Sequence, residues 1–186
     1  MVKLRLFLVV ICFFIFKNSF AQEEYYFTKG LAVNGVHRYG REALYTDKLA
    51  YQLFSNTLKK PIEGGDLGIN NNRGEAVKWQ LITADTGNRF RGRGFGGGGG
   101  YIYFTYEADK EKTALLNISG NSAVFINGEL HGGDPYGSGW LYIPVKLKKG
   151  LNELFVRQGG QMKVKMVCPK IPVDRKSTRL NSSHRT

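Results

Sequence analysis

The segment from Ser122 to Arg157 restricts the possible folds of this chain more than any other segment. It begins with a short apolar strand that ends at Asn127-Gly128, a dipeptide favoured in two-residue hairpin turns. A glycine-rich loop follows, then a strand ending near Pro144, a Lys-Lys-Gly turn and a further strand. Short strands separated by such turns predict an antiparallel β-sandwich with a long loop at one end.

Further strand patterns lie on both sides of this segment. In residues 77–81 and 114–118 every second side chain is apolar, and residues 101–106 form an aromatic and β-branched run. Residues 162–166 read Met-Lys-Val-Lys-Met, which is typical of a strand with one buried and one solvated face. We therefore predict at least seven short strands, with a turn at Gly120-Asn121.

The pattern before residue 77 is mixed. Thr46-Asp47 is a suitable N-cap for a short helix that places Leu49 and Leu53 on one face. Residues 39–45 are equally compatible with an extended strand. Residues 61–72 are rich in Gly and Asn and lack apolar periodicity, so we predict a loop there.

The N-terminus has the features of a secretory signal peptide. Lys3 and Arg5 precede the apolar run 6–16, and Ser19-Phe20-Ala21 provides small residues at a cleavage site. The apolar run is too short for a membrane-spanning helix. We expect cleavage after Ala21, a secreted or periplasmic location, and no membrane attachment once the signal peptide is removed.

The C-terminus resembles a translated sequencing adapter. Asp174 to His184 reads DRKSTRLNSSH, which can be back-translated into a widely used short-read library sequence. We interpret residues 174–186 as an artefactual, disordered tail and expect the natural gene to continue past Val173. The predicted organisation is a signal peptide (1–21), a mixed extension that packs on the sandwich (22–72), the β-sandwich (73–173) and the tail (174–186).

Charge and cysteine content give little indication of function. The formal net charge of +12 includes three positive charges in the signal peptide and a net three in the tail, which leaves +6 for residues 22–173. The lysines are scattered along the sequence, which indicates a solvated basic surface rather than a nucleic-acid partner. Cys12 leaves with the signal peptide, so Cys168 has no partner for an internal disulfide.

No sequence motif indicates a cofactor or a catalytic centre. Gly92, Gly94 and Gly97 have the spacing of a dinucleotide-binding loop, but a strand follows where the mechanism needs a helix N-terminus. The Arg-Gly pairs of residues 91–94 fit a flexible connecting loop better than an RNA-binding segment. Gly137-Ser138-Gly139 lacks the spacing of a nucleophile elbow. We expect no cofactor.

The histidines and acidic residues form no recognisable catalytic or metal-binding motif in the sequence. His37 and His131 have no Ser or Cys partner that the sequence identifies. Four acids could contribute to a calcium site, but no dedicated calcium loop is present, so surface positions are favoured. These acids are Asp109, Glu111, Glu129 and Asp134. We expect no metal site.

The loop from His131 to Trp140 is the best candidate for ligand binding. Asp134, Tyr136 and Trp140 combine an acid and two aromatic rings among glycines, an arrangement that suits stacking on sugar rings. The alternative, which we favour from the sequence, is that Trp140 starts a strand and packs in the core. Asp134 and Tyr136 would then fix a tight loop.

The same region resembles a known family. Ile126-Asn127-Gly128 and the stretch Leu147–Val156, with its L-x-x-G-x-N-x-L-x-V pattern, are similar to galactose-binding-like jelly-roll modules of secreted hydrolases. The combination N-G-E, G-D-x-Y, G-W, P-V-x-L and G-x-N resembles the N-terminal region of exported bacterial α/β-hydrolases of the prolyl-oligopeptidase-like type. The resemblance covers residues 79–173 and extends more loosely to residues 35–57.

This resemblance implies an all-β, antiparallel jelly-roll sandwich with a non-catalytic role. The catalytic Ser, Asp and His of such hydrolases would lie beyond Val173, so no catalytic residue is assigned in this chain. The implied partner is a downstream catalytic domain of the same parent chain, which would make this chain an accessory region of a truncated serine hydrolase. The alternative is an autonomous carbohydrate-binding module that binds a glycan through Asp134, Tyr136 and Trp140.

Overall fold

Antiparallel β-strands make up most of the residues that the computed structural model describes, which are 23–36, 47–71, 73–91 and 100–169. The all-β, antiparallel class predicted from the sequence is confirmed. Within these residues the elements are β1 (Glu23–Tyr26), β2 (Lys29–Asn34), α1 (Lys48–Phe54), β3 (Asp66–Asn70), β4 (Ala76–Lys78), β5 (Gln80–Thr83), β6 (Arg89–Phe90), β7 (Gly100–Ala108), β8 (Lys112–Ile126), β9 (Glu129–Gly132), β10 (Tyr142–Leu147) and β11 (Gly150–Cys168).

The main sheet is organised around the two longest strands, β8 and β11. Its strand order is β10-β8-β11-β7-β2-β5, and in addition β9 pairs with β8 while β1 and β6 pair with β11. The β8–β11 register shifts twice between Arg157 and Lys163, opposite Ser119–Ala123. Because such irregularities bend a strand and increase its twist, both strands change direction at this point.

The bend folds one continuous sheet into two facing layers. In β8, Leu116 before the bend and Val124 after it belong to the same apolar cluster, as do Val156 and Val164 of β11. Side chains alternate between the faces of a strand, so one face of the sheet encloses this core from both sides. The architecture is therefore sandwich-like.

We call the two layers the outer layer and the inner layer. The outer layer contains β10, β1, β6, the first half of β8 and the last half of β11. The inner layer contains β9, β7, β2, β5, the second half of β8 and the first half of β11.

A second apolar cluster covers the opposite face of the inner layer. The helix α1 supplies Leu49, and the separate β3–β4 hairpin with the residue after it supplies Leu67 and Trp79. The Trp79 ring lies 6.2 Å from Tyr103 and 6.4 Å from Phe155, measured between centroids. The inner layer is thus buried on both faces, which leaves the outer face of the outer layer as the sheet surface available for binding.

The predicted helix and its cap are confirmed. Asp47 Oδ1 accepts a hydrogen bond from the Ala50 amide at 2.9 Å, and Leu49 is fully buried. Asp47 Oδ2 also accepts a hydrogen bond of 2.7 Å from the Tyr101 hydroxyl and lies 3.3 Å from Arg157 Nε. The cap therefore attaches the helix to the inner layer. Residues 39–45 lie outside the described part of the chain.

Two other local predictions are confirmed. Asn127 and Gly128 have φ values of 50° and 88° and form the two-residue connection between β8 and β9, as expected for an Asn-Gly hairpin. Met162, Val164 and Met166 are fully buried on one face of β11. The alternating pattern of residues 162–166 therefore predicted the buried side correctly.

Four local predictions are wrong. The turn expected at Gly120-Asn121 does not form, because β8 continues through these residues as part of the bend. β10 extends past Pro144 to Leu147, since β10 is at the edge of the sheet and needs no donor at that position. Residues 66–70, expected to be loop, form β3. Leu81 is half exposed because the alternation is interrupted between β4 and β5.

The predicted extension 22–72 contributes directly to the main sheet. β2 pairs with β5 and β7, and β1 pairs with the end of β11. The β3–β4 hairpin spans the expected boundary at residues 72 and 73.

Replacing Gly120 by Ala should destabilise the bend. Gly120 has a φ of 78°, and an added Cβ would lie well inside van der Waals contact with the carbonyl oxygen of Gln161. We expect Gly120→Ala to lower the free energy of unfolding by about 2 kcal/mol or more, measured by urea denaturation. Gly160→Ala is the matched control, since its Cβ would meet no atom within 4 Å. Equal stability of the two variants would contradict this account of the bend.

Candidate functional site

The loop between β9 and β10 is folded around the carboxylate of Asp134. One carboxylate oxygen accepts hydrogen bonds from the amide and the hydroxyl of Ser138, at 3.1 and 3.0 Å. The other accepts a 2.6 Å hydrogen bond from the Gly139 amide. The backbone carbonyl of Asp134 accepts from the Gly137 amide at 3.1 Å. Asp134 is only 5% exposed, so it positions the loop from beneath.

The first residues of this loop are attached to the bend of β8. The Asp134 amide donates to Asn121 Oδ1 at 3.1 Å, and the Gly120 amide donates to the Asp134 carbonyl at 3.1 Å. Asn121 is fully buried, and its Nδ2 also donates to the Ala123 carbonyl. A buried amide with both ends bonded fixes the backbone around it, because losing either bond leaves an unsatisfied polar group. The start of the loop is therefore fixed by the fold itself.

The last residues of the loop are attached to the outer face of β8. Asn117 Nδ2 donates to the carbonyls of Gly139 and Leu141, at 2.9 and 2.8 Å. These two carbonyls flank Trp140 in the chain. The backbone on both sides of Trp140 is thus held by a single side chain.

Trp140 and Tyr136 project from this loop into solvent. Trp140 is 86% exposed and Tyr136 is 96% exposed. The expectation that Trp140 packs in the core is wrong. Trp140 is exposed because Asn117 holds residues 139–141 against the outer face of the sheet, on the side opposite the core. Of the three predicted site residues, two are exposed rings and the third, Asp134, is the buried support.

Beside the loop, one row of side chains crosses four strands of the outer layer. Tyr26 of β1 is in register with Lys165 of β11, Lys165 with Asn117 of β8, and Asn117 with Tyr142 of β10. Lys165 Nζ lies 5.6 Å from the centroid of the Tyr142 ring and 3.0 Å from a carboxylate oxygen of Glu24. The row therefore connects the aromatic loop to a charged cluster.

The charged cluster is held together by short contacts. The Tyr26 hydroxyl donates to the second Glu24 oxygen at 2.9 Å, and Lys163 Nζ lies 4.9 Å from the Tyr26 ring centroid. The hydrogen bond from Lys165, together with that from Tyr26, lowers the pKa of Glu24. The hydrogen bond to Glu24 raises the pKa of Lys165. Both partners are thus held in their charged forms at neutral pH.

The sequence did not identify this row. Its Met-Lys-Val-Lys-Met pattern places Lys163 and Lys165 on one solvated face, but nothing local indicates which strands lie beside them. Tyr26 and Tyr142 come from distant parts of the chain, and only the pairing of β1 and β10 with the central strands brings them to this face.

A concave surface lies against the inner layer. A groove of about 430 Å³ runs between the C-terminal end of α1 and the Asn127-Gly128 turn. Leu53, Leu58 and Leu151 contribute apolar surface to it. Phe54, at the end of α1, is 68% exposed. Three lysines also line this groove, which are Lys59, Lys60 and Lys148.

The described residues offer little for metal or acid–base chemistry. Across residues 23–36, 47–71, 73–91 and 100–169, no group of three or more His, Cys, Asp or Glu side chains is arranged to hold a metal ion. His131 lies on β9, with its Nε2 3.9 Å from a carboxylate oxygen of Glu129. His37 and the Gly-rich stretch 92–99 lie outside the described part of the chain. In that same part of the chain, no helix has the length and hydrophobicity needed to cross a membrane.

No protein-family model matches the chain, and no curated protein sequence matches it.

Acidification should release the loop at a pH below the ordinary range for Asp. The hydrogen bond from the Gly139 amide, and those from Ser138, lower the pKa of Asp134 in the folded chain. A depressed folded pKa stabilises the loop above the unfolded Asp value of about 3.9, and this contribution is lost as the pH falls through the folded pKa. We expect the amide NMR signals of Ser138 and Gly139 to shift with a midpoint below that value.

The Asp134→Asn variant, which cannot titrate at this position, is the control and should lack the transition. A midpoint at or above the ordinary Asp value in the unaltered chain would show that the carboxylate is not stabilised by these donors.

Proposed function

We propose that this chain is a non-catalytic binding module that recognises carbohydrate through Trp140 and Tyr136. The supporting observation is the exposure of both rings on a loop whose backbone is held by Asp134 and Asn117. Aromatic rings combine a large apolar face with defined geometry, which suits stacking on the faces of sugar rings. A loop that is already ordered loses less conformational entropy when a ligand binds.

The exposure of Trp140 removes the main argument against this function. A core position would have made the ring a packing element with no role at the surface. In its exposed position, Trp140 contributes little to folding, because the stabilisation from apolar burial requires area removed from water. Large exposed aromatic side chains that are positioned by polar contacts are typical of binding surfaces.

The second candidate function is that of an accessory region in a longer exported hydrolase. The resemblance to galactose-binding-like jelly-roll modules supports it, and jelly-roll topology and secretion are part of the same proposal. The groove between α1 and the Asn127-Gly128 turn also favours it. The exposed Phe54 and Ile62 provide apolar surface that a neighbouring catalytic domain would cover. The groove lies against the inner layer and the Trp140 loop against the outer layer, so the two functions are compatible.

Trp140→Ala should reduce glycan affinity at least about tenfold, since a central aromatic contact commonly contributes that much binding free energy. Calorimetry or affinity electrophoresis of the mature chain against a panel of soluble glycans measures the effect. Tyr51→Ala, which truncates an exposed aromatic ring on α1, is the control and should leave affinity unchanged. Absence of binding to every glycan, or equal affinity of the two variants, would refute carbohydrate binding at this loop.

A longer read of the natural gene tests the hydrolase proposal. We expect an open frame past Val173 that encodes a G-x-S-x-G motif within a strand-to-helix turn. A stop codon soon after Val173, with no such motif beyond it, would overturn the proposed parent enzyme and would leave the glycan proposal intact.

A further inference from the structure

We propose that the outer face beside the Trp140 loop selects anionic glycans, through cations that bind carboxylate or sulfate groups on the sugar. This inference rests on the proposed carbohydrate function and specifies its ligand class. The surface consists of Arg89, Lys163 and Lys165 together with the rings of Tyr26 and Tyr142, and we call it the basic row.

Strand pairing places two of these cations directly opposite each other. Arg89 of β6 is in register with Lys163 of β11, while their neighbours Phe90 and Met162 are in register on the core side. Arg89 and Lys163 therefore both face outwards. Like charges on directly opposed strand positions repel each other and destabilise a sheet. An anion bound between them would remove this repulsion.

Two carboxylates near this pair act on it only at longer range, since Glu24 interacts electrostatically with Lys163 and Asp85 with Arg89. Glu24 contacts Lys165 at 3.0 Å, and the charge of Lys165 is balanced by that contact. Among the residues that the structure describes, neither Arg89 nor Lys163 has a carboxylate within salt-bridge distance. The Lys163 ammonium lies 4.9 Å from the centroid of the Tyr26 ring. The basic row thus has two positive charges without a direct ion pair, beside the Lys165–Glu24 ion pair.

The basic row is continuous with the aromatic loop. Tyr142 is 43% exposed and follows Trp140 by two residues, and its ring lies 5.6 Å from Lys165 Nζ. A polysaccharide stacked on Trp140 and Tyr142 would therefore extend over Lys165 towards Lys163 and Arg89. Lys165 and Tyr26, in register on neighbouring strands, form the connection. Rings at one end and cations at the other match a sugar chain that has both apolar faces and acidic groups.

The same features argue against a nucleic acid as the partner. Affinity for a phosphate backbone comes from neutralising many phosphates at once, and it depends steeply on salt. Two cations without a direct ion pair are few for that purpose. One or two charge-assisted hydrogen bonds to carboxylate or sulfate groups are sufficient to distinguish an acidic glycan from a neutral one.

The test compares one polymer in two charge states. Binding of the mature chain is measured by calorimetry with a polyuronate, with its carboxyl-reduced neutral form, with a sulfated polysaccharide and with a single-stranded oligonucleotide. We expect the polyuronate or the sulfated polymer to bind at least about tenfold more tightly than the neutral form, because each charge-assisted hydrogen bond contributes on that scale. Comparison of the two acidic polymers identifies which anionic group is preferred.

The variants then locate the effect. Arg89→Ala combined with Lys163→Ala should reduce the preference for the acidic polymer to near unity, because the acidic polymer loses its contacts with these two cations. Lys59→Ala combined with Lys60→Ala makes the same charge change at the groove by α1 and should retain the preference. The charge-conserving Lys163→Arg should also retain it, and circular dichroism checks that each variant is folded.

Each other outcome has a distinct meaning. Equal affinity for the polyuronate and its reduced form overturns selection of anionic glycans but leaves carbohydrate binding intact. Tighter binding of the oligonucleotide than of any polysaccharide overturns the ligand class proposed here. Absence of binding to all the polysaccharides refutes both proposals. The preference of the unaltered chain decides the question even if the double variant does not fold.

Discussion

The bend shared by β8 and β11 is the constraint on which the rest of the structure depends. At this point Gly120 approaches the backbone of Gln161 so closely that no side chain fits between them. The register shift around Gln158 changes the direction of both strands without breaking the sheet. One sheet can then bury a single core between its two halves, and the stability of the domain comes mainly from that apolar burial.

The candidate site is a direct consequence of the same bend. Gly120 and Asn121 provide the hydrogen bonds that hold Asp134, and Asp134 in turn holds the amides of Ser138 and Gly139. Asn117, a short distance before the bend on the outward face of β8, fixes the backbone on both sides of Trp140. The order of the loop is therefore not independent of the core. A change at the bend should disturb both stability and ligand binding.

The features that could be predicted from the sequence are those whose physical cause is local. The Asn127-Gly128 hairpin, the Asp47 cap and the alternation of residues 162–166 each depend on neighbouring residues, and each prediction is confirmed. The turn expected at Gly120-Asn121 failed because the same dipeptide serves in a turn or in a strand bulge. Only the pairing with β11 decides between them.

The candidate site was predicted in part for the same reason. Asp134, Tyr136 and Trp140 were identified from their residue types on a Gly-rich loop, but the exposure of Trp140 depends on Asn117, far away in sequence. The basic row depends on two further long-range pairings, so the local pattern of residues 162–166 shows that Lys163 and Lys165 are solvated but not which residues lie beside them.

We expect the fold to hold Trp140 rigidly in solvent, and backbone ¹⁵N relaxation of residues 134–141 tests this rigidity. Order parameters close to the rigid-backbone value of about 0.85, equal to those of β8 and β11, are the predicted result. Values below about 0.6 across residues 138–141, with normal values in the strands, would contradict the account. They would show that Asp134 and Asn117 do not order the loop, and that Trp140 is exposed without being positioned.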